Sequence, residues 1–321
     1  MNLSEELEII IPTFNRSKTL IKTLTTILNS PVRNCQITVV DNNSNDDTET
    51  CIKELLSQYE NLIYIKNKYN LGLAGNICKA LTIPEKKYFW IVFDDTGLDF
   101  SNWKYVEEGL KQDYDCILTT NYYNVKNQDN YKEKAAIYLM LIYCFAGIYK
   151  TELITDEVVL YALTDIYTVH PQMALISTIF NNENNKIFIP QKTITFPQMN
   201  PEQKDGKKYS FNRHEGKFYH FRISHGDFIP GFINAIQSIK DKHLQKECIK
   251  LLFKKYNNIG PYIREKTVVK QYFNKNNNNL DINYLEEKYY LDNIYSIIKY
   301  TPLKIVTTWI KNLFKHNRRI K

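Results

Sequence analysis

The chain has 321 residues, 43% of them hydrophobic and 24% charged, which is enough apolar mass for a sizeable core and excludes a wholly disordered protein. Its six cysteines form no C-x-x-C pair, which argues against a disulfide-stapled secreted domain and against a cysteine zinc site. The net charge of +7 resides in residues 293–321, which hold seven basic and no acidic side chains. Residues 1–292 are neutral and show no nucleic-acid-binding motif, so no nucleic-acid partner is expected.

Strand-like and helix-like segments alternate through the first hundred residues. Short apolar or β-branched runs predict strands, and apolar residues at helical spacing predict helices. In chain order, the predicted elements are a strand at 7–11, a helix at 17–28 capped by Ser17, a strand at 36–40, a helix at 48–59, a strand at 62–66, a helix at 75–81 and a strand at 88–93. This alternation indicates an α/β fold with a mostly parallel sheet and helices on both faces.

The pattern is weaker beyond residue 100. An uncharged run at 135–149 is shorter than a membrane span and predicts a buried element, and the N-terminus is acidic where a signal peptide would be basic. We therefore expect a cytoplasmic protein. The further predicted segments are strands at 116–120 and 188–195, a turn at 150–153, a polar loop at 201–216, helices at 228–239 and 242–255, and a linker at 274–279.

Polar and acidic side chains follow each of the first four predicted strands. The carboxyl ends of parallel strands meet at one crevice, where ligands bind in sheets of this kind. A solvated loop would explain one such cluster, whereas four at matching strand ends favour a binding site. The four clusters are Thr13–Arg16, Asp41–Ser44, Asn67–Asn76 and Asp94–Thr96.

Four blocks in this order and spacing resemble family 2 glycosyltransferases with the GT-A fold: Ile9–Arg16, Val39–Ser44, Asn70–Asn76 and Trp90–Asp95. The bacterial members that build O-antigen or capsule are the most similar. The resemblance covers about residues 7–100 and continues weakly through 144–153 and 163–174. It implies a Rossmann-like, nucleotide-binding sheet with a helical C-terminal extension. The implied division is a nucleotide-sugar-binding half at 1–120, an acceptor-binding half at 121–200, a loop and helical region at 201–273, and a helical, basic amphipathic tail at 280–321.

The resemblance implies a nucleotide-sugar donor, with UDP as the family's commonest carrier. Asp41 can accept hydrogen bonds from a base N–H or a ribose hydroxyl, and Gly72 allows the backbone to approach the donor closely. Loop and helix capping is an equal alternative for Asn70 and Asn76. The predicted nucleotide-sugar-binding residues are Pro12, Thr13, Asn15, Arg16, Asp41, Asn43, Asn70, Gly72, Asn76, Asp94 and Asp95.

An Asp-rich motif in this family holds Mg²⁺ or Mn²⁺ against the donor diphosphate, where the cation stabilises the leaving group. Asp94 and Asp95 match that motif, with Asp95 as the first metal ligand and Asp94 bonding the ribose or a metal-bound water. Thr96 stands where close relatives often show a third Asp, and where a Ser, Thr or Asn also occurs. The alternative is a pair of helix-capping carboxylates.

Inverting transfer needs a general base that deprotonates the acceptor hydroxyl. The family places an Asp or Glu in its second half; the candidates are Asp165, Asp156 and Glu157, and Asp165 is preferred. Asp165 and Asp94 are thus the predicted catalytic residues. His170, alone before a proline, is more often structural than a ligand. The basic loop 204–214 could close over the diphosphate or be an ordinary solvated loop.

The C-terminal residues combine apolar and basic side chains at helical spacing. This pattern favours docking on an anionic membrane surface, although a helix packed on the body is an alternative. The resemblance implies a saccharide acceptor that is lipid-linked, which fits a peripheral position on the inner face of the cytoplasmic membrane. The apolar residues are Ile305, Val306, Trp309, Ile310, Leu313 and Phe314.

Other function classes fit the sequence less well. A non-catalytic, membrane-docked assembly protein that binds nucleotide with a GT-A fold is the main alternative, because Thr96 interrupts the acidic motif. A sugar nucleotidyltransferase would need a Gly-rich basic loop after the first strand, which Pro12–Arg16 lacks. A dehydrogenase would need G-x-G-x-x-G after a strand, and the sequence has none.

Overall fold

The computed structural model describes residues 2–164, 170–196 and 235–255. The chain divides into two compact units, Met1–Gly206 and Lys207–Lys321. The first unit carries the sheet, and the part of the second unit that is described holds one long helix. The predicted polar loop at 201–216, the linker at 274–279 and the tail at 280–321 lie outside the described residues, as does most of the predicted helix at 228–239.

The first unit is built on a seven-stranded sheet in the order β3-β2-β1-β4-β7-β6-β8, with a two-stranded sheet of β5 and β9 beside it. The strands are β1 (Leu7–Thr13), β2 (Gln36–Asp41), β3 (Leu62–Lys66), β4 (Tyr88–Ile91), β5 (Gly97–Leu98), β6 (Cys116–Leu118), β7 (Gly147–Lys150), β8 (Ile187–Phe188) and β9 (Thr195–Phe196).

Helices connect and flank the strands. They are α1 (Leu3–Glu6), α2 (Ser17–Leu28), α3 (Thr48–Leu56), α4 (Gly72–Leu81), α5 (Trp103–Lys111), α6 (Tyr131–Met140), α7 (Asp156–Thr164), α8 (Met173–Asn181) and, in the second unit, α9 (Lys242–Lys255). Among the described residues, no helix has both the length and the apolar character needed to cross a bilayer.

Strands β1 to β4 are parallel to one another, as predicted. Strand β7 runs antiparallel between β4 and β6, and β6 pairs in parallel with β8. The sheet is therefore mixed and mostly parallel. The predicted strand at 62–66 and the predicted helix at 242–255 have the bounds of β3 and α9.

Two helix starts differ from the prediction. Ser17 is not a side-chain cap; it is the first residue of α2, and its N–H donates to the Asp46 carboxylate at 3.1 Å. Helix α4 begins three residues earlier than predicted, at Gly72, because Asn70 Oδ1 accepts the Gly72 N–H at 2.8 Å. Both differences arise from acceptors outside the helix that the apolar pattern does not reveal.

The core lies between the sheet and its helices. Every residue of β1 is buried, and so is every residue of 135–149 except Tyr143, which confirms the predicted buried element. Trp90 on β4 is fully buried, and its indole Nε1 donates to the Phe145 carbonyl at 2.9 Å. A buried indole N–H needs such a partner, so this bond ties the uncharged run to the centre of the sheet.

Glu8 on β1 is fully buried, and its carboxylate accepts hydrogen bonds from the turn before β4. Its Oε1 accepts the backbone N–H groups of Glu85 and Lys86, and its Oε2 lies 3.3 Å from Gln36 Nε2. Removing the acceptor would leave these donors without a partner in a part-buried site. Each such loss costs about 1–3 kcal/mol.

We therefore expect Glu8→Ala to lower the free energy of unfolding by roughly 2–5 kcal/mol. Urea unfolding monitored by circular dichroism measures it. Glu5→Ala, at an exposed position on α1, is the matched control and should change stability by less than about 0.5 kcal/mol. Equal effects of the two changes would show that the Glu8 contacts carry no stability.

Candidate active site

The carboxyl ends of β1, β2 and β4 lie side by side, as the parallel sheet requires. Thr13 ends β1 and pairs in register with Asp41, which ends β2. The Val92 N–H donates to the Ile10 carbonyl at 2.9 Å, so the chain leaving β4 follows β1 toward the same edge. Lys66, which ends β3, pairs in register with Asp41, so all four predicted polar clusters begin at one end of adjacent strands.

Asp94 and Asp95 form an acidic pair just beyond β4 that is linked to the loop after β1. Thr13 Oγ1 donates to Asp94 Oδ2 at 2.6 Å. Arg16 Nη1 donates to Asp94 Oδ1 and to Asp95 Oδ2, at 2.9 Å each. Four predicted site residues therefore make one polar cluster, although about eighty positions separate its two halves along the chain.

Burial decides the charge behaviour of Asp94, whose side chain is 3% exposed. Its pKa is raised to about 6, chiefly because burial disfavours the carboxylate; Arg16 opposes this shift and the neighbouring Asp95 adds to it. Asp95 is more open, with 22% of its side chain exposed. The pair thus combines one buried carboxyl group with one that solvent or a ligand can reach.

Thr96 closes the turn that presents the acidic pair. Its hydroxyl accepts the Phe93 N–H at 3.0 Å, and its own N–H donates to the Phe93 carbonyl at 3.0 Å. The side chain that replaces a third Asp is therefore buried and holds the turn. The capping carboxylate of the next 3₁₀ turn, Phe100–Asn102, is Asp99, so the structure does not support the helix-capping alternative for the pair.

Asp41 is fully buried and already accepts three hydrogen bonds. Ser44 donates to Oδ1 through its N–H at 2.9 Å and through its hydroxyl at 2.5 Å, and the Tyr64 hydroxyl donates to Oδ2 at 2.6 Å. A carboxylate has about four acceptor positions, so these three bonds fill most of them. Burial, followed by the Asp41 carboxylate, raises the pKa of Tyr64, so its phenol stays a donor.

Sequence reasoning missed Tyr64. It lies 23 residues from Asp41, on β3, and is part of an ordinary strand pattern. The contact follows from the pairing of β2 with β3. Tyr64 pairs with Val39, which lies two residues before Asp41 and therefore on the same face of the sheet. No local motif could have indicated this contact.

A network of asparagine side chains fixes the loop before α4. Asn42 Nδ2 donates to Asn70 Oδ1 at 2.8 Å, and Asn42 Oδ1 accepts the Leu71 N–H at 2.8 Å. Buried Asn76 donates to the Val40 carbonyl at 3.0 Å and accepts from Asn67 at 2.9 Å. Asn70 therefore makes the contact at a helix start that the alternative interpretation predicted. Asn76 lies inside α4 and bonds β2 and Asn67, so it is not a helix cap. Asn42 and Asn67 were not among the predicted binding residues.

Three predicted site residues adopt left-handed backbone angles at turns. The φ values are 52° at Asn15, 67° at Asn43 and 72° at Gly72. Asparagine and glycine tolerate this region better than other residues. The Asn15 N–H donates to Ser44 Oγ at 2.8 Å, and Asn15 Oδ1 accepts the Asn45 N–H at 2.9 Å, so the loops after β1 and β2 form one rigid rim.

Comparison with known proteins identifies the family to which the chain belongs. A family model described as Glycosyl transferase family 2 matches residues 8–181. The chain belongs to glycosyl transferase family 2.

Two family relatives match over shorter stretches. The GalNAc(5)-diNAcBac-PP-undecaprenol beta-1,3-glucosyltransferase of Campylobacter jejuni is 32% identical over 94 residues, 29% of this chain and 30% of that protein. An uncharacterized glycosyltransferase of Methanocaldococcus jannaschii, MJ1057, is 30% identical over 148 residues, 44% of this chain and 45% of that protein. The chain thus matches less than half the length of either relative.

A solved structure shows the same fold. Staphylococcus aureus TarS 1-349 in complex with UDP-GlcNAc superposes with a TM-score of 0.55 over 94% of this chain and 82% of that one, at 15% sequence identity. The predicted α/β, GT-A architecture of this family 2 glycosyltransferase is therefore confirmed. At this identity the comparison speaks for the fold alone.

The acidic pair fits a divalent cation whose remaining ligands come from a substrate and from water. Among the described residues, no group of three or more His, Cys, Asp or Glu is placed to hold a metal. Mg²⁺ is usually bound through one or two carboxylates together with substrate phosphates and waters. Asp94 and Asp95 match that donor set, whereas a closed all-protein metal cage is not present in the described part of the chain.

Of the three candidates for the general base, Asp165 lies outside the described residues. Asp156 is exposed at the start of α7 and lines an open groove of about 550 Å³ with Pro84 and Thr151. The Thr151 N–H donates to the Lys87 carbonyl, just before β4 begins. Asp156 therefore lies toward the amino end of β4, and Asp94 follows its carboxyl end. The structure does not bring Asp156 to the acidic pair, and Glu157, next to it, is exposed as well.

His170 is buried, with its Nδ1 3.3 Å from Gln172 Nε2. Burial lowers its pKa to about 3, so the folded protein holds it neutral. Unfolded histidine has a pKa near 6.5. Between these values the unfolded chain binds one more proton than the folded chain, so stability is lost as the pH falls below about 6.5.

We expect His170→Gln to reduce the acid sensitivity of folding by about 1.4 kcal/mol per pH unit between roughly pH 6 and pH 4. Urea unfolding at several pH values in this window measures the slope. His243→Gln, at an exposed position on α9, is the matched control and should keep the wild-type slope. An unchanged slope in His170→Gln would mean that His170 gains its proton in the folded state as well.

Proposed function

We propose that this protein transfers a sugar from a nucleoside-diphosphate sugar, UDP-linked by default, to a saccharide acceptor, with inversion at the anomeric carbon. The observation that carries the proposal is the acidic pair Asp94–Asp95 at the carboxyl edge of the parallel strands. Thr13 and Arg16 bind this pair, and Thr13 pairs in register with the buried Asp41. Such an edge is where open α/β sheets bind their ligands.

The donor would extend along this edge. Asp41 would accept from a base N–H or a ribose hydroxyl, and the left-handed turns at Asn15, Asn43 and Gly72 would present backbone to the donor. Asp94 and Asp95 would hold Mg²⁺ or Mn²⁺, which supplies positive charge to the departing diphosphate when bound. Arg16 can donate to phosphate oxygens in the same place. The position of Thr13, Asp41 and the acidic pair at or just beyond the ends of β1, β2 and β4 supports this arrangement.

The acceptor is the less constrained part of the proposal. The Campylobacter jejuni relative is named for a PP-undecaprenol-linked saccharide. A lipid-linked acceptor in bacterial surface polysaccharide synthesis is the corresponding proposal here, with Asp165 as general base and the residue 280–321 tail on the anionic inner face of the cytoplasmic membrane. The four-part division of the chain, with donor and acceptor halves meeting near residue 120, belongs to the same proposal.

A thermal-shift panel of UDP, GDP, dTDP and CMP, each with and without Mn²⁺, tests the donor class. A ligand that binds only the folded chain raises its stability by mass action, by about 2.7 kcal/mol at a hundred times its Kd. We expect one diphosphate, UDP by default, to raise the melting temperature, and Mn²⁺ to enlarge the rise.

The variants make the panel specific to the acidic pair. Asp95→Asn should abolish the Mn²⁺-dependent part of the rise, whereas Asp129→Asn, at an exposed loop position, should behave as wild type. No shift with any nucleotide would contradict the proposed donor. A shift without sugar transfer to any lipid-linked saccharide would favour the non-catalytic, nucleotide-binding alternative.

A further inference from the structure

Arg16 lies between the two carboxylates that we propose as metal ligands. One atom, Nη1, lies 2.9 Å from Asp94 Oδ1 and 2.9 Å from Asp95 Oδ2. The Arg16 side chain is 29% exposed, and that of Asp94 only 3%. The acidic pair therefore already has a positive charge in contact with both of its members.

The backbone holds Arg16 in this position. Its carbonyl accepts the Leu20 N–H at 2.9 Å and the Thr19 hydroxyl at 3.1 Å, which makes it the residue from which α2 begins. The preceding residue, Asn15, is fixed to the loop after β2 through Ser44. The guanidinium thus starts from a fixed point beside the acidic pair.

We infer that Arg16 competes with the divalent cation for Asp94 and Asp95 and thereby makes tight metal binding depend on the nucleotide diphosphate. This inference rests on the proposed function. A cation bound by both carboxylates takes the same groups that Arg16 holds. Arginine remains charged at any ordinary pH, so it cannot relieve the conflict by losing a proton. Two cations close together in a partly buried site repel each other strongly.

A diphosphate removes this conflict in two ways. Its oxygens give the metal further hard ligands, and they give the guanidinium a second anionic partner of suitable geometry. The negative charge then suffices for both cations. The free protein should accordingly bind metal weakly, and metal and nucleotide should each strengthen the binding of the other by the same factor.

The test is a titration of Mn²⁺ into the full chain, followed by electron paramagnetic resonance, with and without UDP. In wild type we expect weak binding of Mn²⁺ alone and tighter binding with UDP. Arg16→Gln should tighten the binding of Mn²⁺ alone by about tenfold and change its binding with UDP much less, so that the coupling factor falls. Arg33→Gln, at an exposed position before β2, should match wild type throughout.

The possible outcomes separate the inference from the proposed function. Equal affinities of wild type and Arg16→Gln for Mn²⁺ alone overturn the inference, even where UDP tightens Mn²⁺ binding as the donor proposal requires. If no nucleoside diphosphate changes the affinity of the wild-type protein for Mn²⁺, the donor proposal is contradicted. The nucleotide-dependent part of the inference is then contradicted as well. Arg16→Met, a neutral side chain of similar length, carries the same expectation if Arg16→Gln does not fold by circular dichroism.

Discussion

Replacing either member of the acidic pair by asparagine is expected to lower kcat/KM for sugar transfer by ~100-fold or more. The amide has nearly the same shape as the carboxylate, so the turn that Thr96 closes is kept. What is lost is a negative charge that a divalent cation needs as a ligand. Steady-state transfer from a UDP-sugar, measured as UDP release, gives the ratio, and Asp129→Asn serves as the control for a general effect of removing an acidic residue.

The two variants should differ in stability although both lose activity. The pKa of Asp94 is raised to about 6, which means that folding disfavours its carboxylate at neutral pH. An amide at Asp94 removes that cost, so Asp94→Asn should unfold at no lower a temperature than wild type. A loss of activity without a loss of stability is the expected pattern for a functional group whose burial costs stability. A large fall in the melting temperature together with activity would instead make Asp94 a structural residue.

The position of the site was predictable because of one topological fact. Parallel strands that alternate with helices must end at the same edge, so the polar residues after β1, β2 and β4 had to meet there. Their individual partners were not predictable. Arg16 and Asp94 are separated by 78 positions, and the Arg16 bridge depends on the turn at Asn15 and on the start of α2.

Physical reasons explain why the sequence pattern did not reveal several helices and strands. Helix α6 is buried on every residue from Ala135 to Met140, so it lacks the alternation of apolar and polar faces by which a surface helix is recognised. Strands β5 and β9 have two residues each, too few for a period of two to be seen. The antiparallel direction of β7 follows from its neighbours in the sheet and not from its own composition.

The asparagine network before α4 explains why Asn70 and Asn76, two predicted binding residues, also have structural contacts. Asn42, Asn67, Asn70 and Asn76 exchange hydrogen bonds, so the loop before α4 is ordered before a ligand arrives. A site whose loops are already ordered does not lose their conformational entropy when a ligand binds, so more of the contact energy remains as affinity. For Asn70, the contact at the start of α4 and the proposed donor binding are therefore compatible.

The second large effect concerns Asp165, the proposed general base. Asp165→Asn is expected to lower kcat by roughly 10²–10⁴-fold, because the acceptor hydroxyl would attack without losing its proton to a carboxylate. The KM for the donor should change little, since the base acts on the acceptor. Initial rates at saturating acceptor, with the donor varied, separate kcat from the donor KM.

Asp156→Asn is the discriminating control for that experiment. Asp156 is an acid of the same type, nine positions earlier in the chain, but the structure places it toward the amino end of β4 beside Pro84 and Thr151. A base must come within hydrogen-bonding distance of the proton that it removes, so an acid at the wrong edge of the sheet cannot serve, whatever its charge. We expect Asp156→Asn to keep near-wild-type turnover. If Asp156→Asn were inactive and Asp165→Asn active, the acceptor would have to bind at the opposite edge from Asp94, and the proposed arrangement of donor and acceptor would be wrong.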